Sequence, residues 1–216
     1  MKKILVPTDF SEGANKARDY AVQLAQIIGA EIILLNTYHI PYAGASSSTL
    51  VNVDALALED SEKHMTEQME YAKENFSNIK FSQICAPGLL VDTVKGMTKQ
   101  GEIDLIVMGT TGTSGVIENF LGSNASAMIG ATATPLITVP ADASINFPKK
   151  IVVANDLTAS GEDQIYDALK ELAGGTDASI DFLFVTDDAD RAERKKEHLK
   201  AAQFDEEFDS EYHPFH

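Results

Sequence analysis

Gly109, Gly112, Gly122 and Ser123 are spaced as Gly-x2-Gly-x9-Gly-Ser between two apolar runs, and the chemistry this pattern can do is anion binding. A phosphate held by main chain needs unshielded N–H donors, and a Cβ at the contact would hold it off, so glycine permits the approach. A helix start adds N–H groups without intrahelical acceptors and the positive end of the peptide dipoles. The pattern follows Ile103-Asp-Leu-Ile-Val-Met108, an apolar run that reads as a buried strand. Gly122-Ser123 opens Asn124-Ala-Ser-Ala-Met128, and Pro135-Leu-Ile-Thr-Val-Pro140 closes the stretch. Ser123 can cap the helix or donate its hydroxyl to a phosphate oxygen. The same residues also have a plainer use, since glycines after strands form turns and Gly-Ser before a helix is a cap. On residues alone both readings stand. The motifs G-x-x-x-x-G-K-[ST], G-x-G-x-x-G after a strand and G-x-S-x-G do not occur.

Periodicity predicts the elements that must position these residues. Ile4-Leu-Val6 reads as a short parallel strand and Pro7–Ser11 as a loop, with Ser11 or Asp9 capping a helix that begins near Gly13. Ala14, Ala17, Ala21, Leu24, Ala25 and Ile28 form its apolar stripe, and Gly29 stops it. Glu31–Thr37 is a second strand, and Tyr38–Val53, rich in Ser, Ala and Gly, reads as a surface loop near the pocket. A long helix over Asp54–Phe76, with Met65 and Met69 as core filling, precedes a third strand at Ile79–Ala86. Pro87-Gly88 turns into a helix carrying Leu90, Val94 and Met97; the fourth strand is Ile103–Met108, a helix spans Ser123 to Ile129, and the fifth strand is Leu136–Val139. Strand, helix, strand with short turns implies right-handed crossovers and an α/β fold with a parallel sheet.

Two stretches of this chain resemble the universal stress protein family. One is the glycine spacing ending in Thr134-Pro-Leu-Ile-Thr-Val-Pro140; the other is the opening Lys3-Ile-Leu-Val-Pro-Thr-Asp9-Phe-Ser11. The resemblance covers residues 1 to about 141 fully and the remainder in part. It implies a Rossmann-like, adenine nucleotide alpha hydrolase-like fold, with five parallel strands, helices on both faces, and a nucleotide across the carboxyl ends of strands one, two and four. Carried over by position, Asp9 would meet the base or ribose, with Pro7, Thr8 and Phe10 shaping that wall. Thr37 would offer main-chain groups to the adenine edge, and Met108 and Gly109 would line the ribose. Gly112, Gly122, Ser123 and Asn124 would receive the phosphates. Thr111 stands where many relatives carry a basic residue, and Asn124 where a branched apolar residue is common. The implied site therefore needs Mg2+ and backbone donors to offset a triphosphate, and ATP, ADP and AMP all remain open as ligand.

The chain then repeats itself. Lys149-Lys-Ile-Val-Val-Ala-Asn-Asp156-Leu-Thr158 mirrors Lys2–Ser11, a helix carrying Ile165, Leu169 and Leu172 follows, and Ala178–Val185 matches Ala30–Thr37. The expected organisation is a complete domain over 1–141, a linker over 142–148, and a partial second copy over 149–216. That copy runs through a charged helix (Arg191–Ala202) to Phe204–His216, about where a third strand would lie, and carries no second glycine pattern. Unpaired strand edges invite association, so a homo-oligomer or pairing of the tandem copies is expected.

Composition narrows the partners. Lys and Arg total 17 against 33 Asp and Glu, a net charge of −16, which disfavours nucleic acid and anionic membrane surfaces. Residues 1–147 carry −7 and residues 148–216 carry −9. The single cysteine, Cys85, excludes an intrachain disulfide, reads as a small buried hydrophobe, and fits a cytoplasmic protein. No eighteen-residue apolar stretch occurs, and the apolar run at the N-terminus stops at Pro7, too short for a signal peptide. The five histidines show no repeated ligand spacing, so no metal site of the protein's own is expected. The resemblance implies a nucleotide-binding regulatory protein of the stress response, with at most slow ATP hydrolysis. The alternatives are an ATP-using, adenylyl-transferring enzyme of related fold, disfavoured because Pro-Thr-Asp-Phe-Ser stands where that class has Ser-Gly-Gly-x-Asp-Ser, or a decayed dimerisation module.

Overall fold

A computed structural model describes residues 3–38, 47–110, 122–155, 162–185 and 210–215, with Arg194 and Glu197; for 47–53, 155, 162–165, 184–185 and 210–215 it describes the backbone alone. The chain divides into two compact units, residues 1–145 and 146–216. In the first, β1 (Lys3–Pro7), α1 (Glu12–Ile28), β2 (Glu31–Tyr38), α2 (Ser47–Asn75), β3 (Phe81–Pro87), α3 (Leu90–Lys99), β4 (Leu105–Gly109), α4 (Ser123–Met128) and β5 (Leu136–Val139) alternate. The five strands form one parallel sheet in the order β3-β2-β1-β4-β5.

Strand alternation explains the two layers of core. Leu5, Ile33, Leu35, Ile106 and Met108 face one way, against Val94 of α3 and Ala125 and Met128 of α4. Their neighbours Ile4, Val6, Ile32, Leu34 and Val107 face the other way and are equally buried. There the small-residue stripe of α1, Ala14, Ala17, Ala21 and Ala25, lets the helix lie close to the sheet. Ser11 caps α1, its Oγ accepting from the Ala14 N–H at 3.2 Å, and Gly29 ends it with φ +67°. Of the two expected caps, it is Ser11 that serves.

Helix α1 is clamped to α2 by Arg18, only 5% exposed. Its guanidinium donates to Asp19 Oδ1 at 2.8–2.9 Å, to Asn15 Oδ1 at 3.2 Å and to Gln68 Oε1, and lies 4.3 Å over the Tyr71 ring. Replacing Arg18 with alanine leaves those part-buried acceptors without their donor, and should cost about 1.5–2 kcal/mol of stability in chemical denaturation.

Several boundaries differ from the sequence reading. Helix α2 begins at Ser47, so the last seven residues of the expected Tyr38–Val53 loop are helical. Ser47-Ser-Thr-Leu-Val-Asn-Val53 contains poor helix formers, but extending a long helix needs no new nucleus. Strand β2 runs one residue further than expected, to Tyr38, because Tyr38 still pairs with Pro87. Strand β3 starts at Phe81, two residues late, because the Ile79 N–H is drawn back to the Phe76 carbonyl. Cys85 is half-buried where a buried residue was expected, because β3 is an edge strand.

In the second unit β6 (Lys150–Asn155), α5 (Glu162–Thr176), β7 (Ser179–Val185) and β8 (Ser210–Phe215) follow one another, and the strands form a parallel sheet in the order β6-β7-β8. Tyr166, Leu169 and Ala173 of α5 cover Ile151, Val153, Ile180 and Phe182, and the Tyr166 and Phe182 rings meet edge-on at 6.2 Å. Lys150 Nζ lies 2.8 Å from Asp181 Oδ2. The charged stretch 191–202, apart from Arg194 and Glu197, lies outside the described residues.

Candidate functional site

Strands β1 and β4 are neighbours, yet the chain leaves β1 toward β2 and β4 toward β5. Such a switch point opens a crevice past the carboxyl ends of the strands. A cleft of about 180 Å3 lies there, walled by Pro7, Thr8 and Asp9 after β1, Asn36 and Thr37 of β2, and Met108, Gly109 and Thr110 after β4. Gly122, Ser123, Asn124 and Ala125 at the start of α4 complete it, with Ala14 of α1 and Leu90 of α3.

Nine of the eleven residues expected from the sequence thus surround one cleft: Pro7, Thr8, Asp9, Thr37, Met108, Gly109, Gly122, Ser123 and Asn124. Gly112, and Thr111 beside it, lie outside the described residues. Phe10 is not among the lining residues. Its backbone is left-handed, φ +64°, held by its N–H donating to Thr8 Oγ1 at 3.0 Å, and its ring stacks on His64 of α2 with centroids 5.2 Å apart. Asp9 is exposed, and its Oδ1 accepts the Ser11 N–H at 3.1 Å, which holds the carboxylate over the loop.

The α4 side supplies donors. Gly122 is the N-cap, correcting the expectation for Ser123, which is the first helical residue. The Gly122 N–H donates to the Thr110 carbonyl at 2.6 Å, joining the end of β4 to the start of α4, and the Gly122 carbonyl accepts from Ser126 at 2.8 Å. The first-turn N–H groups of Ser123, Asn124 and Ala125 have no intrahelical acceptor, and all three residues line the cleft. With six residues, α4 contributes these N–H groups far more than a long dipole.

Gly109 has a different reason for being glycine. A Cβ there would lie 2.8 Å from the Gly13 carbonyl oxygen and 2.9 Å from its carbon. The missing side chain lets α1 press against the end of β4. It is a packing contact, formed at the edge of the cleft.

On the β2 side the ladder with β1 ends at Pro7↔Leu35, followed by the Thr8 N–H donating to the Leu35 carbonyl at 2.8 Å. Main-chain groups alternate along a parallel strand, so Thr37, two residues beyond Leu35, also turns its N–H and C=O toward β1. The β1 chain has already left the sheet there, and among the described residues no main-chain group meets them. Ala14, Asn36, Leu90, Thr110 and Ala125 also line the cleft and are not among the residues expected from the sequence. Asn36, a polar residue closing the apolar run Ile32–Leu35, was the available signal; Leu90 gave none.

The universal stress protein family matches residues 1–140. This chain belongs to that family. A universal stress protein of Methanocaldococcus jannaschii is 26% identical over 140 residues, 64% of this chain and 81% of the relative. The solved universal stress protein UspA of Lactobacillus plantarum is 25% identical with a TM-score of 0.57, over 64% of this chain and 97% of its own. A solved universal stress protein of Archaeoglobus fulgidus, 18% identical, shares the fold with a TM-score of 0.72 over 98% of this chain and 77% of its own. The family match stops at residue 140, and the remaining residues lie beyond it. Among the described residues no helix is long and apolar enough to cross a membrane.

Proposed function

We propose that the cleft binds an adenine nucleotide and that this universal stress protein acts as a nucleotide-responsive regulator. One observation carries the reading: unshielded main-chain donors at the start of α4 and the outward main chain of Thr37 face one cleft at the sheet's switch point. The first suits phosphates, which need donors without bulk; the second suits the edge of a base. Asp9 lines the same cleft, and its carboxylate can accept from ribose hydroxyls.

Asp9 is the one charged side chain among the described lining residues. Among the described lining residues none is Lys, Arg or His, which sets a requirement for triphosphates. The hydroxyl and amide oxygens of Thr110, Ser123 and Asn124, with the Asp9 carboxylate, are the oxygen donors that suit Mg2+, which keeps most of its waters and takes phosphate oxygens besides. In this reading Mg2+ supplies the positive charge. In EDTA, ATP should bind no tighter than AMP, and added Mg2+ should restore tighter ATP binding, as read by calorimetry. Asp9→Asn should weaken AMP about tenfold through one lost charge-assisted bond.

The second unit is proposed to be a partial second copy of the first. Its strand, helix, strand order and parallel register follow those of β1, α1 and β2, and its opening repeats their residues. Its domain bounds would be those given by the repeat, 149–216 after a linker at 142–148, and an edge strand of its three-stranded sheet suits pairing with a second chain. A cytoplasmic setting fits the lone half-buried thiol. Calorimetric titration with AMP, ADP and ATP tests the central reading. Saturable binding is the expected result; rapid coupled turnover would favour the adenylyl-transferring enzyme, and no binding the decayed module.

A further inference from the structure

Asn36 lies at the cleft but spends its side chain on the protein. Its Nδ2 donates to the Thr8 carbonyl at 2.7 Å, and its Oδ1 accepts from Ser61 Oγ of α2 at 2.7 Å. All three residues are at most 8% exposed. A carbonyl can only accept, so the Thr8 contact fixes which end of the amide faces it, and the Ser61 hydroxyl then serves the other end. Both ends of the Asn36 amide have a buried partner, which makes the arrangement rigid.

Its effect is on Thr37. If the β1–β2 ladder ran one rung further, the Thr37 N–H would donate to the Thr8 carbonyl. That carbonyl is occupied by Asn36 instead. We propose that Asn36, oriented by Ser61, is a positioning residue for base selection: it holds the Thr8 carbonyl and keeps the Thr37 N–H and C=O open as a donor–acceptor pair for adenine. This rests on the adenine-nucleotide reading above. Adenine presents ring N1 as acceptor beside its 6-amino donor, which matches an N–H and C=O on one strand edge. Hypoxanthine presents N1–H and O6, the reverse, and a site built for one hydrogen-bond pattern rejects the other because its own groups are left unpaired.

The experiment is calorimetric titration of ATP and ITP, whose phosphates and ribose are the same, on the full chain and on Asn36→Asp and Ser61→Ala. The wild type should prefer ATP by at least about tenfold. Each variant should lose most of that preference through weaker ATP binding, with ITP binding nearly unchanged. General damage to the fold would instead weaken both nucleotides together, and that result, or an unaltered ratio, overturns the proposal. A wild type that binds both nucleotides equally also overturns it while leaving the nucleotide reading intact. A wild type that binds neither removes both. Amide hydrogen exchange on the wild type keeps the question answerable if the variants do not fold. The Thr37 amide should exchange fast in the free protein, with Leu35 protected, and slow down with ATP; protection of Thr37 without nucleotide would overturn the proposal.

Discussion

Gly122→Val should abolish measurable nucleotide binding, with an affinity loss of at least about 100-fold, near 2.8 kcal/mol. The argument turns on what this glycine does and does not do for the fold. Its backbone, φ −57° and ψ 156°, is open to any residue, so no strain follows from a side chain. It caps α4 through its carbonyl and makes no side-chain cap bond, so valine removes none. The expected stability cost is about 1 kcal/mol from the poorer N-cap, or about 2–4 °C in melting midpoint. The binding cost is larger because a branched side chain would stand in a cleft of only about 180 Å3, beside the N–H groups of Ser123 to Ala125. Titration of ATP and AMP against the folded variant checks this. Wild-type affinity in a folded Gly122→Val would remove the phosphate assignment, and Gly122→Ala should fall between the two.

Gly109→Ala should do the opposite, lowering stability first. The added methyl would meet main-chain atoms of Gly13 at 2.8 and 2.9 Å, with the Ala14 nitrogen at 3.3 Å. Backbone cannot rotate away as a side-chain tip can, so α1 or β4 must move. Overpacking of this kind costs about 2–3 kcal/mol, or about 5–10 °C in melting midpoint for a domain of this size. Affinity should fall less than in Gly122→Val, since no wall of the phosphate region is filled. A thermal melt of Gly109→Ala within about 1 °C of wild type would mean that α1 and β4 are not held at this contact. The two glycines belong to one sequence pattern, and the pair of variants separates their roles: one moves the melting curve, the other the binding isotherm.

That separation marks where sequence reading reached and where it stopped. The strands at Ile4–Val6 and Leu136–Val139, the Ser11 cap and the Gly29 stop are local signals, and each was readable from a few consecutive residues. Helix α2 was read seven residues short because its first turns carry weak propensity and are extended from the rest of the helix. Gly109, expected to line the ribose, lines the cleft and is also where the Gly13 backbone comes close. Nothing near residue 109 says which backbone will come close.

The alternation of elements, the apolar periods and the glycine spacing determined, from sequence alone, an α/β chain with a candidate anion site beyond its fourth strand. They could do so because each depends on neighbours a few positions away. What required the folded chain were the pairings across long separations: Asn36 with Thr8, 28 residues apart, Ser61 with Asn36, 25 apart, and Arg18 with Gln68, 50 apart. Side chains that meet this way leave no periodic trace, since any of several polar residues could in principle partner any other. Only the order β3-β2-β1-β4-β5 brings the ends of β1, β2 and β4 together, and with them a main chain whose donors and acceptors have somewhere to point.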